Sequence, residues 1–169
     1  MPRLPQNDAA ALADGPYGSL FSALAVRPRI AESLARHLRD VGESGSVPRR
    51  TKELVALMVS WLNVCVVCAK SHEALARHLG VDQETLDALE DYTRSDRFTA
   101  AERAALSAAV ALTREPRALP PPVRDALRAH FDEGGCVEIL ATIGLYNYVN
   151  RLHNALEIDV TPEMRACEP

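Results

Sequence analysis

The sequence predicts an all-α fold, a single domain over residues 1–169 built as a bundle of about seven or eight helices. Alanine and leucine, which favour helices, dominate a composition that is 47% hydrophobic and only 5% aromatic. Helix-starting and helix-ending residues recur along the chain, whereas the apolar–polar alternation typical of strands is nearly absent. A chain of 169 residues can form one domain with a sizeable core but is too short for a second full domain.

Three helices are predicted before residue 63. The first covers residues 17–26. The second begins at Pro28, and its apolar positions recur at helical spacing: Ile30, Leu34, Ala35 and Leu38. After a loop at residues 42–46, Pro48 is well placed to start the third helix. This third helix is apolar over more than half its circumference, so we expect it to be buried on several sides.

A fourth and a fifth helix are predicted from their ends. Residues 65–79 have helical character, and Gly80 suits the position after the last turn. Asp82 can cap a short helix that reaches about Tyr92. The predicted fourth helix therefore begins at Cys65, the first residue of a C-x-x-C pair with Cys68.

The second half continues in the same way. Thr99–Glu102 forms a capping box for a helix that ends near Arg114. A helix is predicted over residues 123–131, after three prolines. We expect Gly134–Gly135 to break the chain before a long apolar helix over residues 136–156.

Charge and segment composition exclude several functional classes. The net charge of −4 argues against a nucleic-acid-binding surface, which requires clustered lysine and arginine. Residues 1–14 contain no apolar export segment, and the longest uncharged run, residues 54–69, is too short to span a membrane. We therefore expect a cytoplasmic protein that acts away from membranes. In such a reducing compartment, a close cysteine pair favours catalysis or metal binding over a structural disulfide.

The chemically informative stretch contains Cys65, Cys68 and His72. On a helix, Cys68 lies about 300° and His72 about 700° around the axis from Cys65, so all three share one face. A neighbouring histidine or a helix N-terminus lowers the pKa of a thiol and so generates the reactive thiolate. The second cysteine, one turn away, can close a disulfide once the first is oxidised.

Glu53 precedes Cys65 by twelve residues, which is about 18 Å along one continuous helix. Contact between Glu53 and His72 requires a helix break, and residues 62–64 are the candidate position because Asn63 tolerates the left-handed conformation. A break there also places the cysteine pair in the first turn of the next helix, where the dipole favours a thiolate.

Other interpretations of these residues remain open. Cys65 and Cys68 can simply be two small side chains buried in the core. A zinc site is disfavoured, because a structural zinc site needs four ligands and only Cys65, Cys68 and His72 share a helix face. Glu53 can be a solvated first-turn carboxylate. The remaining histidines and cysteines are expected to be surface, packing or tail residues: His37, His78, His130, His153, Cys136 and Cys167.

The spacing Glu53, eleven residues, C-x-x-C, three residues, His72 resembles the carboxymuconolactone decarboxylase family, and more narrowly its thiol-bearing alkylhydroperoxidase D-like branch. Segments 17–38, 50–57 and 144–152 also resemble helices of this group, so the similarity covers about residues 16–158. The terminal segments 1–15 and 159–169 fall outside it.

The resemblance implies an alkylhydroperoxidase D-like helical bundle that reduces hydroperoxides and assembles as a trimer or hexamer. On the matching positions, Cys68 is the cysteine that attacks peroxide and Cys65 the resolving cysteine. His72 is the relay imidazole, and Glu53 is the carboxylate at the head of the relay. Where some members place a second histidine before the later cysteine, this chain has Val67, which makes the site more apolar and tends to raise a thiol pKa.

The redox equivalents are then carried by the dithiol itself, with no bound cofactor or metal. An external dithiol donor, a thioredoxin-like or dihydrolipoyl protein, restores it. Three alternatives stay open. The protein can be a disulfide reductase or redox adaptor that uses the same cysteine pair, or an oligomeric scaffold or sensor without turnover. A decarboxylase-like enzyme is the third alternative, which the cysteine pair disfavours. The strongly apolar helix near residues 138–156 independently favours a homo-oligomer.

Overall fold

The structure, a computed structural model, describes residues 18–43, 45–115 and 117–158 and confirms the all-α prediction. Within these ranges there is no strand, and no helix is long and apolar enough to cross a bilayer. A short 3₁₀ helix at Ala88–Asp91 follows the fifth α-helix. The α-helices are Gly18–Leu24 (α1), Pro28–Glu43 (α2), Arg49–Leu62 (α3), Val66–His78 (α4), Gln83–Asp87 (α5), Ala100–Arg114 (α6), Pro121–His130 (α7) and Glu133–Ala155 (α8).

Helix α3 is the central element of the bundle. All ten residues from 51 to 60 are buried, and the helix packs against α4, α6 and α8. Burial on every side includes polar residues, which must then find partners. The Lys52 Nζ atom meets the Glu138 carboxylate at 2.9 Å and donates a hydrogen bond to the Val41 carbonyl at 2.9 Å. Through this pairing α3 is tied to both α2 and α8.

The predicted helix caps are confirmed. The Asp82 carboxylate accepts a hydrogen bond from the Thr85 N–H at 2.8 Å. At the start of α6, Thr99 accepts from the Glu102 N–H at 3.1 Å, and the Glu102 carboxylate accepts from the Thr99 N–H at 2.9 Å. Gly80 adopts a left-handed φ of +84° after the end of α4.

Two details of the predicted helices are wrong. Helix α8 begins at Glu133, because Asp132 caps it by accepting a hydrogen bond from the Gly135 N–H at 2.7 Å. The first turn of a capped helix tolerates glycine, so Gly134 and Gly135 continue the helix instead of breaking it. In α2, Ile30 is exposed and Ala31 is buried, because the stripe 31, 34, 35, 38 follows the 3.6-residue period more closely.

Candidate active site

The break between α3 and α4 lies at the predicted position. Helix α3 ends at Leu62, and Cys65 caps α4. The Cys65 N–H donates to the Ser60 carbonyl at 2.9 Å, and the Val64 N–H donates to the Trp61 carbonyl at 3.0 Å, the paired bonds of a Schellman motif. The left-handed residue is Val64, with a φ of +54°, whereas Asn63 has a φ of −88°. A β-branched residue is unfavourable in this conformation.

Asn63 instead fastens the turn to α8. Its side-chain amide donates to the Asn147 Oδ1 atom at 3.0 Å, and its carbonyl accepts a hydrogen bond from the Asn154 side chain at 2.9 Å. The turn that carries the cysteines is therefore held by two contacts to α8.

Cys65 and Cys68 occupy the N-cap and the first turn of α4, and both are 2% exposed. They are joined as a disulfide, with 5.3 Å between their Cα atoms. The N–H groups of the first turn carry the positive end of the helix dipole, which stabilises a thiolate at this position after reduction. The sulfur chemistry predicted from the spacing is thus sterically available to this pair.

Glu53 reaches His72 across the break. The Glu53 Oε2 atom accepts a hydrogen bond from His72 Nδ1 at 2.8 Å, and the two residues are 1% and 0% exposed. The Glu53 Oε1 atom accepts a hydrogen bond from the Arg49 guanidinium at 2.7 Å. The interpretation of Glu53 as a solvated carboxylate is therefore wrong, since folding buries it between a guanidinium and an imidazole.

These partners decide the charge of Glu53. Burial raises the pKa of the Glu53 carboxyl, but the hydrogen bond and charge of His72 and the Arg49 guanidinium outweigh burial and hold this pKa below its ordinary value. An ionised carboxylate on Nδ1 selects the tautomer that carries its proton there. The other ring nitrogen, Nε2, is then the basic atom of His72.

Helix α8 provides a further wall of the site. The Tyr146 ring meets the His72 ring edge-on, with centroids 4.4 Å apart. One turn later, Asn150 is fully buried, and its Oδ1 atom lies 3.4 Å from the Ser60 hydroxyl. The buried face of α8 thus covers both the relay and the end of α3.

That face also brings in a residue that the sequence analysis missed. His153, expected to be a surface or interface residue, is 3% exposed, and one of its ring nitrogens and the two cysteine Sγ atoms all lie within 4.8 Å of one another. The helical periodicity of the sequence could have indicated that His153 is buried, because it continues the buried row of Tyr146, Val149 and Asn150. Among the described residues, the cysteines and His153 form the group that could hold a metal ion, in place of the expected grouping with His72.

The remaining histidines and cysteines behave as expected or lie outside the description. His37, His78 and His130 are exposed. Cys136 is a partly buried free thiol, and Cys167 lies outside the described residues.

Of two cavities in the protein, one is lined by a cysteine of the disulfide and the other is not. A cavity of about 320 Å³ is lined by Cys65 together with Trp61, Val64, Lys70 and Glu73, among others, and gives access to the Cys65 side of the pair. A larger cavity of about 1100 Å³ lies between α6, α7 and α8 and is not lined by any of the four predicted site residues. Of these two cavities, only the smaller is lined by a cysteine of the disulfide.

Comparison with known proteins gives the family of this chain. The profile of the carboxymuconolactone decarboxylase family matches residues 28–111, a range that contains Glu53, both paired cysteines and His72. The uncharacterised protein YdfG from Bacillus subtilis (strain 168) is 29% identical over 115 residues, 68% of this chain and 78% of YdfG.

Two solved structures share the fold. A protein of unknown function from Agrobacterium tumefaciens, suggested to be the antioxidant defence protein AhpD, is 26% identical with a TM-score of 0.75, covering 83% of this chain and 95% of its own. The apo debrominase Bmp8 is 24% identical with a TM-score of 0.78, covering 96% of this chain and 92% of its own, and its likeness concerns the fold alone. This chain belongs to the carboxymuconolactone decarboxylase family, and its fold is that of the alkylhydroperoxidase D-like proteins.

Proposed function

We propose that the protein is a thiol-dependent peroxidase that reduces hydroperoxides through a Cys65–Cys68 dithiol–disulfide cycle. The observation that carries this proposal is the buried Glu53–His72 hydrogen bond, made one helical turn from Cys68. A carboxylate that orients an imidazole one helical turn from a thiol at a helix N-terminus can activate that thiol as a nucleophile, directly or through one water. Because the debrominase shares this fold, the fold by itself does not determine the substrate.

The oxidative half of the cycle begins at Cys68. His72, directly or through water, takes the thiol proton, and the Glu53 carboxylate stabilises the imidazolium that forms. The thiolate attacks the distal peroxide oxygen, the O–O bond breaks, and the leaving alkoxide takes a proton to become an alcohol. Cys68 is then a sulfenic acid. The Cys65 thiol displaces its hydroxyl as water, which leaves the Cys65–Cys68 disulfide.

The reductive half requires an external dithiol. One donor thiolate attacks a sulfur of the pair, and the second donor thiol resolves the mixed disulfide, so the donor leaves oxidised and the protein leaves with two thiols. A thioredoxin-like or dihydrolipoyl protein is the proposed donor, by analogy with the family. Such a cycle needs a thiol-reducing compartment, and we place it in the cytoplasm.

A second candidate function, exchange with a protein disulfide, is favoured by the small cavity. This cavity is lined by Cys65 and not by Cys68, and it is bordered by the side chains of Lys70 and Glu73. A partner thiolate or disulfide can therefore approach Cys65, which suits this residue to exchange. Rapid exchange with a protein disulfide, combined with a peroxide rate no higher than that of free cysteine, would select a reductase or adaptor over a peroxidase.

The test of the peroxidase uses reduced protein and an organic hydroperoxide, followed by thiol counting and peptide mass spectrometry. We expect two thiols to be lost per chain and one intramolecular Cys65–Cys68 disulfide to form. Cys65→Ser should stop the reaction at a Cys68 sulfenic acid. Cys136→Ser, which changes a thiol outside the pair, should behave as wild type.

The assignment of Cys68 is wrong if Cys68→Ser consumes hydroperoxide as fast as wild type. A stoichiometric disulfide that no dithiol reductant turns over would instead identify a scaffold or sensor. Both results are obtained from the same set of variants.

We further propose a homo-oligomer, a trimer or hexamer. Val137, Leu140 and Tyr148 are exposed on α8, whose other face is in the core. Exposed apolar side chains on one helix are typical of subunit contacts. Light scattering at micromolar concentration checks the assembly, and a monomer would contradict it.

A further inference from the structure

The disulfide and His153 form a compact group of soft donors that the peroxidase cycle does not use as a unit. Cys65, Cys68 and His153 are each 2–3% exposed, and their donor atoms lie within 4.8 Å of one another. The histidine arrives from α8, so three donors from two elements converge on one point. Thiolate and imidazole are the ligands that Zn²⁺ takes in protein sites, and C-x-x-C is a recurrent spacing among them.

The geometry of the reduced pair fits such an ion. Tetrahedral zinc with Zn–S bonds of about 2.3 Å and Zn–N bonds of about 2.0 Å holds its donors roughly 3.4–3.8 Å apart. Reduction breaks the S–S bond and moves the two sulfurs apart towards this separation, while the ring nitrogen already lies within 4.8 Å of both. The required movement is a separation of the two sulfurs together with a small approach of the His153 ring.

Charge supplies a second argument. Two thiolates buried at one point repel each other and are costly without compensation. A Zn²⁺ ion balances both charges, and neutral His153 adds none. His72 does not compete for the ion through Nδ1, because that nitrogen is engaged with the Glu53 carboxylate. A zinc ion with three protein ligands takes water as its fourth ligand, and Cys65 lines a cavity from which water could enter.

We propose that the reduced protein binds one Zn²⁺ through Cys65 Sγ, Cys68 Sγ and a ring nitrogen of His153, and that oxidation of the pair releases it. Binding displaces two thiol protons and is independent of the proposed peroxidase function. Release by hydroperoxide rests on that function. In this reaction the zinc-bound pair of thiolates, one hydroperoxide and two protons give a disulfide, an alcohol, water and free Zn²⁺. The zinc-bound form is then a protected state of the dithiol.

The test titrates anaerobically reduced protein with Zn²⁺ against a chromophoric chelator, and with Co²⁺ as a spectroscopic probe. We expect one metal per chain and, with Co²⁺, thiolate charge-transfer absorption. His153→Ala should weaken binding at least about tenfold, since loss of a ligand costs no less than loss of an outer-shell partner. His130→Ala, at an exposed histidine on α7, should bind as wild type.

His153→Cys, which restores a soft ligand, should recover metal binding. This variant shows whether His153→Ala binds weakly because a ligand is missing or because the protein is misfolded. His72→Ala should retain the metal while losing peroxide reactivity, which separates this proposal from the peroxidase. Absence of stoichiometric metal in reduced wild type, equal affinity in His153→Ala, or equal binding by the disulfide form would each overturn the site.

Discussion

Glu53 and His72, nineteen residues apart on consecutive helices, share a hydrogen bond of 2.8 Å in which neither residue is more than 1% exposed. The bond exists because the chain reverses at Asn63 and Val64, so that α4 returns along α3. It connects the central helix of the bundle to the element that carries both cysteines. The electrostatics of the site therefore depend on the geometry of a two-residue turn.

Replacing Glu53 by Gln tests the role of its charge. Gln can still accept the hydrogen bond from His72, but it cannot stabilise the imidazolium, so we expect hydroperoxide to oxidise Cys68 about 10²-fold more slowly. Stopped-flow measurement of disulfide formation near neutral pH gives this rate. Glu32→Gln, the same change at an exposed position on α2 away from the cysteines, is the matched control and should leave the rate unchanged. Equal rates in Glu53→Gln and wild type would contradict the relay.

The lowered pKa of Glu53 makes its contribution to stability depend on pH. A carboxyl whose pKa is lower in the folded than in the unfolded protein stabilises fully above the unfolded value, and the contribution is lost as pH falls through the folded value. The difference in unfolding free energy between wild type and Glu53→Gln should thus be largest near neutral pH and shrink below about pH 4.5. Urea unfolding of both proteins along a pH series measures it. A difference that stays constant, or grows, on acidification would contradict the ionised pair.

Val64 should be a source of strain. Its left-handed φ of +54° is unfavourable for a β-branched residue, and its side chain is 52% exposed, so replacement loses little packing. We expect Val64→Gly to be more stable than Val64→Ala by about 1 kcal/mol. At Arg36, an exposed residue inside α2, the order should reverse, with Gly less stable than Ala by about 1 kcal/mol. Denaturant unfolding of the four variants measures these differences in stability. The same order of Gly and Ala at both positions would contradict strain at Val64.

Gly45 is required by its surroundings. Its φ is +102°, and a Cβ atom there would overlap the Glu138 carboxylate, which accepts hydrogen bonds from the Ser46 and Val47 N–H groups at 2.7 and 3.2 Å. We expect Gly45→Ala to lower the unfolding free energy by roughly 1–3 kcal/mol. Gly144→Ala, at an open position on α8, should instead raise it by about 0.5–1 kcal/mol. A Gly45 variant as stable as wild type would show that the loop does not need this conformation.

The features predicted correctly from the sequence are encoded over short distances. The capping box at Thr99–Glu102, the Asp82 cap and the break near Asn63 each depend on residues within a few positions of one another. The glycines at 134 and 135 misled the prediction because the cap on Asp132 outweighs their intrinsic preference. His153 could not be placed beside the cysteines because that contact depends on how α8 packs against α3 and α4, which no local pattern contains.

The central claim, that the buried Glu53–His72 pair activates Cys68, is tested most directly in a Cys65→Ser background. There the rate constant for sulfenic acid formation at Cys68 by an organic hydroperoxide can be measured without disulfide formation. The account predicts a rate constant about 10²-fold or more above that of free cysteine, falling towards the free value when His72 is also replaced by Ala. A Cys68 rate constant equal to that of free cysteine, with or without His72, would contradict it.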